Sequence, residues 1–442
     1  MKLPMPAPEV ETILMEILER DQREYLKIFT TNVEDDRYLH WDQLRYRTPP
    51  NDWGHREWWA ALKLARGRQQ RFLKLTDKEK SPFWFNMTDR ILRTSEEIAR
   101  RASGHIGSAE EVIGAQGRDQ YIVKSLIEEA ITSSQLEGAV TSRRVATEML
   151  ESGRPPTDKS EVMILNNYLA MRRIREAATE PLTPDFVLEL HRILTEDTLE
   201  DPADAGRLET ADQIRVAVWD GEIAIHQPPS ADELPSRLRS LCDFANDLLE
   251  HSPYMPPVVR AIIVHFMVGY DHYFADGNGR TARALFYWSM LHQGYWLSEY
   301  VSISKILKKA PSQYSLAYLY TEDDGGDLTY FIHYQLEIFI RALDELDEYL
   351  AAKSRELAQV RGALQGTREL NQRQASFLER ASREGDLVID AAGYARYYRV
   401  TGQTARNDLR SMESSGYLLR SKNGNAFVWR AAPKLLSKLA AK

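Results

Sequence analysis

Cys242 is the only cysteine among 442 residues, so an intrachain disulfide and a thiolate-based zinc site are both excluded. No run of about 18 apolar residues occurs, which removes an ordinary membrane-spanning helix from consideration. No basic stretch followed by an apolar segment opens the chain, so no secretory leader is expected and the reducing cytoplasm is the expected location. The phosphate-binding signature G-x-x-x-x-G-K-[ST] is missing as well, so no P-loop is present. Basic charge is scarce: 57 Lys and Arg against 65 Asp and Glu leave a net charge of −8. That balance argues against a wholly basic nucleic-acid binder, although a local basic module remains compatible with it.

What the chain does have is length for two or three domains and enough apolar residues, 43%, for ordinary cores. Its most informative stretch is His272 to Arg283, HYFADGNGRTAR. A Gly-x-Gly turn opening a helix lets backbone N–H groups converge on an anion, because glycine tolerates the required φ and the helix start carries partial positive charge. A phosphate would therefore sit on Gly277, Asn278 and Gly279. Arg280 and Arg283, three apart on the following helix, share a face and can grip further phosphate oxygens. Asp276 beside an anion site makes sense if Mg²⁺ lies between carboxylate and phosphates. His272 closes the preceding apolar segment and supplies a base that titrates near neutrality. Each piece alone has an ordinary structural explanation; their combination points to chemistry on a phosphate.

These residues resemble a known signature. His272, Phe274, Asp276, Gly277, Asn278, Gly279, Arg280 and Arg283 fill H-x-F-x-[DE]-G-N-G-R-x-x-R of the Fic (filamentation induced by cyclic AMP) family. The one departure is Tyr273, where proline is commonest. Upstream, Ser133-Ser134-Gln135-Leu136-Glu137-Gly138 is similar to that family's inhibitory motif, [ST]-x-x-x-E-[GN]. The resemblance implies a protein adenylyltransferase that moves AMP from ATP, with Mg²⁺, to a Ser, Thr or Tyr hydroxyl of a target protein. It implies His272 as base and Asp276 as metal ligand, with Gly277, Asn278 and Gly279 at the α-phosphate, Arg280 on the β side and Arg283 on the γ-phosphate. Glu137 would pair with Arg283 in place of that γ-phosphate and keep the enzyme slow; without the resemblance Glu137 would read as a solvated helix charge. Three alternatives stay open: an AMP-removing hydrolase, transfer of phosphate, UMP or phosphocholine, which Asp276 and Arg283 fit less well, and a DNA-binding regulator that uses the domain as a nucleotide sensor.

Around this centre the expected fold is mainly α: a Fic-type helical core with a β-hairpin flap, a helical N-terminal extension and a small α/β winged-helix domain at the C-terminus. Residues 1–115 are expected to be helical, with Glu57–Leu64 and Thr88–Ala102 amphipathic, and with Trp41, Trp53, Trp58, Trp59 and Trp84 more suited to packing than to recognition. One helix is expected from Asp119 to about Ser152 inside an inhibitory region, 116–152, with Ile122, Leu126, Ala130, Ser133 and Glu137 on one stripe. The core is assigned to 153–350. Within it His191 is expected to be structural, and His226 either faces the nucleotide or holds its loop. Two short strands, Ile214–Val218 and Ile223–Ile225, are expected to form the flap, which the resemblance implies presents the target along residues 214–226 as an added strand. A connector spans 351–370. Residues 371–442 carry 13 Lys and Arg against 6 Asp and Glu, and read as three helices followed by a hairpin at Asn423-Gly424. Gln403, Thr404, Arg406, Asn407 and Arg410 on the third helix are residue types that read DNA, although winged helices also bind proteins. A homodimer is a further expectation from homologous folds, and no membrane partner is expected.

Overall fold

The computed structural model describes residues 3–30, 37–103, 107–210, 218–220, 223–247, 254–366, 370–384, 387–423 and 426–433. The chain divides into two compact units, residues 1–104 with 125–343, and residues 105–124 with 344–442. Among the described residues no helix is long and apolar enough to cross a membrane.

The larger unit is built around Pro257–Asp271, a helix buried on nearly every side. Val258, Val259, Ile262, Ile263, Phe266 and Met267 leave it no polar face, so it can exist only inside a core. Pro257 suits the first helical position, where a missing N–H costs nothing. The helix ends at His272, whose φ of 49° and ψ of 60° are left-handed. After a short loop the chain turns at Gly277, with φ 85°, into the helix Asn278–His292, which packs back against the first. Lys159–Glu176 and Pro184–Thr195 cover this pair, each with a capping side chain, Asp158 and Thr183.

Two expectations about the N-terminal half require correction. The region expected to be helical contains an antiparallel hairpin, Gln70–Thr76 with Pro82–Asn86, in which Phe72 faces Trp84. Phe83, Trp84 and Phe85 are all buried, so the second strand lacks the alternation that marks a half-exposed strand. Its other edge is used too: Trp84 N–H donates to Gly326 O at 3.2 Å and Leu328 N–H to Trp84 O at 2.9 Å. The tryptophans pack as expected, with Trp53, Trp59 and Trp84 buried and Trp41 and Trp58 against the same small core as Trp59.

The second correction concerns the helix expected to run from Asp119 to Ser152. It runs from Gly107 to Leu136, and a separate helix occupies Arg143–Ser152. Gly138 at φ 93° ends the first, Ser134 O accepts from the N–H groups of Glu137 and Ala139, and Ser142 caps the second through Val145 N–H. A helix pattern on both sides hid a break that one glycine and one serine enforce.

The second hairpin pairs Val218–Asp220 with Ile223–His226, so Trp219 and Asp220, expected in the turn, belong to its first strand. Residues 214–217, also expected as strand, lie outside the described residues.

In the smaller unit, helices Gln372–Glu384, Ala391–Tyr398 and Gly402–Ser414 enclose Phe377, Leu378, Tyr394, Leu409 and Met412. The hairpin Leu418–Asn423 with Ala426–Ala431 covers them, and Val388–Asp390 adds a third strand that sequence reading missed, paired to Ala426–Ala431. At three residues that strand is too short for a period to show.

Candidate active site

The loop between the two central helices is held from below. His191 Nδ1 accepts from Gly206 N–H at 2.9 Å, its Nε2 lies 2.8 Å from Asp276 O, and its ring stacks on Phe274. Burial keeps this imidazole neutral, with its pKa lowered to about 4. The expected structural role is the one this geometry supports. Glycine is needed at 277 twice over, for its positive φ and because a Cβ would come within 2.7 Å of Thr195 Cγ2.

Asn278 ties the loop into a ring. Its Oδ1 accepts from Phe274 N–H at 3.0 Å, its Nδ2 donates to Phe274 O at 2.6 Å, and the same Nδ2 lies 3.1 Å from His272 Nδ1. One carboxamide thus fixes both the turn and the imidazole. Asp276 points outward, its side chain 59% exposed; Oδ1 accepts from Gly277 N–H at 2.6 Å and Oδ2 lies 3.5 Å from Arg280 Nη2. Arg280 itself is turned inward, 1% exposed, and donates to Leu194 O at 2.8 Å.

Arg283 meets the helix that ends at Leu136. Its Nε donates to Ser133 Oγ at 2.9 Å, and its Nη2 donates to Ser133 O at 3.0 Å and to Glu137 Oε1 at 2.8 Å. Burial, the largest single influence, would lower the pKa of this guanidinium, but Glu137, Tyr314 and Glu129 together outweigh it and the net shift is upward. Glu137 also lies so close over Gly279 that a Cβ at 279 would collide with its Oε1. A carboxylate therefore rests on the glycine turn, at the positive end of a helix. His272, Asn278, Gly279, Arg283 and Glu137 share one cleft with Tyr314 and Tyr318; Arg280 is not on its wall.

Sequence reading missed Glu129, two turns before Glu137. It is 2% exposed and accepts from Tyr287 Oη at 3.0 Å, Ser302 Oγ at 2.7 Å and Ser304 N–H at 3.1 Å. Residues 129 and 133 on one helix, and 137 just past its end, thus face 287, 283 and 279 on the other, four-residue steps running in opposite directions. The spacing of Glu129 from Ser133 and Glu137 was the available signal. His226 is also settled: Nε2 lies 2.7 Å from Tyr270 O and Nδ1 2.7 Å from Glu322 Oε2, so it holds the second hairpin to the end of the central helix while its ring borders the cleft.

The buried imidazoles set a pH dependence. His265 and His333, like His191, are lowered by burial, to about 3, whereas in the unfolded chain each titrates near about 6.5. Between those values the unfolded state binds protons that the folded state does not, so stability is complete above about pH 6.5 and is lost as pH falls through that window. Asp327, raised by burial to about 6, and Asp271, also raised by burial, act in the opposite sense, but two carboxyls oppose three imidazoles. The thermal midpoint is expected to be several degrees lower at about pH 5 than at about pH 7; calorimetry giving an equal or higher midpoint at the lower pH contradicts this account.

Residues 181–290 match the model of the Fic/DOC family. The chain is 28% identical over 180 residues, 40% of its length and 33% of the relative's, to protein adenylyltransferase fic-1 of Caenorhabditis elegans. It is 29% identical over 170 residues, 38% of its length and 36% of the relative's, to protein adenylyltransferase Fic of Nematostella vectensis. The chain thus spans about a third of these curated relatives. In fold it is similar to a Fic family protein from Desulfovibrio desulfuricans, with a TM-score of 0.53 at 18% identity over 79% of this chain and 98% of that one. The matched segment, residues 181–290, carries the loop from His272 to Gly277 and the helices on both sides of it, so it is this part of the chain that is similar to the Fic/DOC family.

Proposed function

We propose that this chain is a protein adenylyltransferase that Glu137 holds at rest. The observation that carries the reading is the Glu137 carboxylate lying over Gly279 and on Arg283, an anion already seated where a triphosphate end would bind. The names of the curated relatives, protein adenylyltransferases, support the same activity. In the reaction a Ser, Thr or Tyr oxygen of a target attacks the α-phosphorus of ATP, the bond to the β-phosphate oxygen breaks, pyrophosphate leaves, and His272 takes the hydroxyl proton. N–H groups of the Gly277 to Gly279 turn stabilise charge on the α-phosphate. Arg283, once released by Glu137, grips the γ-phosphate, and Arg280 adds positive charge from behind the turn on the β side.

The outward carboxylate of Asp276 suits Mg²⁺, which takes one or two carboxylates together with substrate phosphates. Bound there, the ion would neutralise charge on the α and β phosphates. The hairpin Val218–Asp220 with Ile223–His226 borders this cleft through Ile225 and His226, and an extended target segment adding to its edge would bring its hydroxyl toward His272. The test is mass spectrometry of a proteome incubated with ATP and the Glu137→Gly protein: AMP-modified hydroxyls that require His272 support the reading. Removal of AMP from a modified protein by wild type, lost in Glu137→Gly, would instead give Glu137 a water-positioning role and reverse the direction of the chemistry.

A second activity is proposed for the smaller unit. Gln403, Arg406, Asn407 and Arg410 are exposed on the helix Gly402–Ser414 while Ala405, Leu409 and Met412 are buried beneath them, leaving a free face of DNA-reading types as in a winged helix. Duplex DNA binding followed by fluorescence anisotropy is expected to weaken with salt. The double change Arg406→Ala, Arg410→Ala is expected to lower the slope of log affinity against log salt by about two; an unaltered slope removes these arginines from any DNA interface.

A further inference from the structure

The residues on either side of His272 are bonded to each other. Tyr273 Oη donates to Asp271 Oδ2 at 2.6 Å, and both side chains are buried. Asp271 Oδ1 in turn accepts from Arg237 Nε at 2.7 Å. The rest of that guanidinium donates to Asp77 O at 3.3 Å and to Thr76 O, at the turn of the first hairpin. Next to it, Lys78 N–H donates to Tyr270 Oη at 3.0 Å. Four consecutive residues, 270 to 273, thus contain three that are gripped by side chain and one, His272, that stands between them in left-handed backbone.

Left-handed φ and ψ are unfavourable for a residue with a Cβ and persist only where the surroundings over-determine them. A proline at 273 would fix its own φ through the ring; tyrosine has no such restraint. Here the bond from Tyr273 to Asp271 closes a small loop across His272, and Arg237 anchors that loop to a hairpin outside the matched family segment. The direction of the His272 Cα–Cβ bond follows directly from this backbone. Asn278 then orients the ring that the backbone has delivered.

We propose that Asp271 and Tyr273, braced by Arg237, form a clip that sets the direction of the His272 side chain, and that all three are positioning residues for the proton transfer. The inference rests on the adenylyl-transfer reading for its kinetic consequence, but the clip has a structural readout of its own. An imidazole displaced by a fraction of an ångström leaves ATP binding intact and slows the chemical step.

The test uses the full chain carrying Glu137→Gly as parent, with Tyr273→Phe, Asp271→Asn and Arg237→Lys added singly and Tyr273→Phe with Asp271→Asn together. Tyr273→Phe is expected to lower kcat per folded molecule about tenfold and to leave the KM for ATP within about twofold. The double variant is expected to lose no more than the worse single one, since both remove one bond. Amide exchange across 270–276, read by mass spectrometry, is expected to quicken in Tyr273→Phe without quickening in Lys159–Glu176. A general bracing role would reduce the folded fraction but leave kcat per folded molecule and local exchange unchanged, and that result overturns the proposal. If Tyr273→Phe fails to fold, Asp271→Asn and Arg237→Lys carry the same two measurements. Should the Glu137→Gly parent transfer no AMP, the functional reading fails by itself, and the exchange measurement still decides whether the clip exists.

Discussion

Glu137→Gly is expected to raise transfer of radiolabelled AMP, to targets and to the chain itself, on the order of a hundredfold over wild type. The basis is the Arg283 guanidinium, 1% exposed, which donates to Glu137 Oε1 at 2.8 Å and spends two further N–H bonds on Ser133. Breaking a charge-assisted contact of this burial commonly costs about 3 kcal/mol, and on the proposed reading the γ-phosphate breaks it before binding; that energy corresponds to about two orders of magnitude in rate. Glycine removes the carboxylate and leaves Ser133 to hold the arginine more weakly. Initial rates with saturating ATP read the effect directly. A Glu137→Gly protein no faster than wild type on any target would remove Glu137 from control of the site.

The second large effect is a loss. His272→Ala, introduced into the Glu137→Gly protein, is expected to lower the transfer rate about a thousandfold, the usual worth of a general base in contact with the reacting proton. ATP affinity is expected to change by less than about threefold, because on the proposed reading the triphosphate is held by Arg283 and the backbone donors of the turn, while His272, set by Asn278, takes the hydroxyl proton. Titration calorimetry and single-turnover labelling separate the two quantities. Comparable losses in both would mean that His272 binds nucleotide and does not take the proton.

Much of the site was legible because its residues are contiguous. His272 to Arg283 lie in twelve successive positions, and glycine beside asparagine at a helix start has few physical uses. Legibility ended where partners come from afar. Nothing local shows that Arg237 reaches Asp271 or that Glu129 gathers Tyr287, Ser302 and Ser304; each needs the fold first. Periodicity served for long amphipathic helices such as Asp89–Ala102 and Gly402–Ser414. It failed for Pro82–Asn86, where both faces are covered, and at Gly138, where similar patterns flank a break. Arg280 shows a subtler limit: three-residue spacing correctly put it on the same helix as Arg283, yet a carbonyl at Leu194 draws it away from the cleft.

One guanidinium cannot answer two anions at once. On the proposed reading Arg283 is shared between an internal carboxylate and an incoming triphosphate, and repression and productive nucleotide binding are then mutually exclusive states joined by a single equilibrium. Thermodynamic reciprocity then fixes their relation: any agent that draws Glu137 off Arg283 tightens ATP in its reactive pose by the factor by which ATP in that pose favours the agent. On that reading nucleotide supply and whatever draws Glu137 away are not independent inputs. Each sets the sensitivity of the chain to the other.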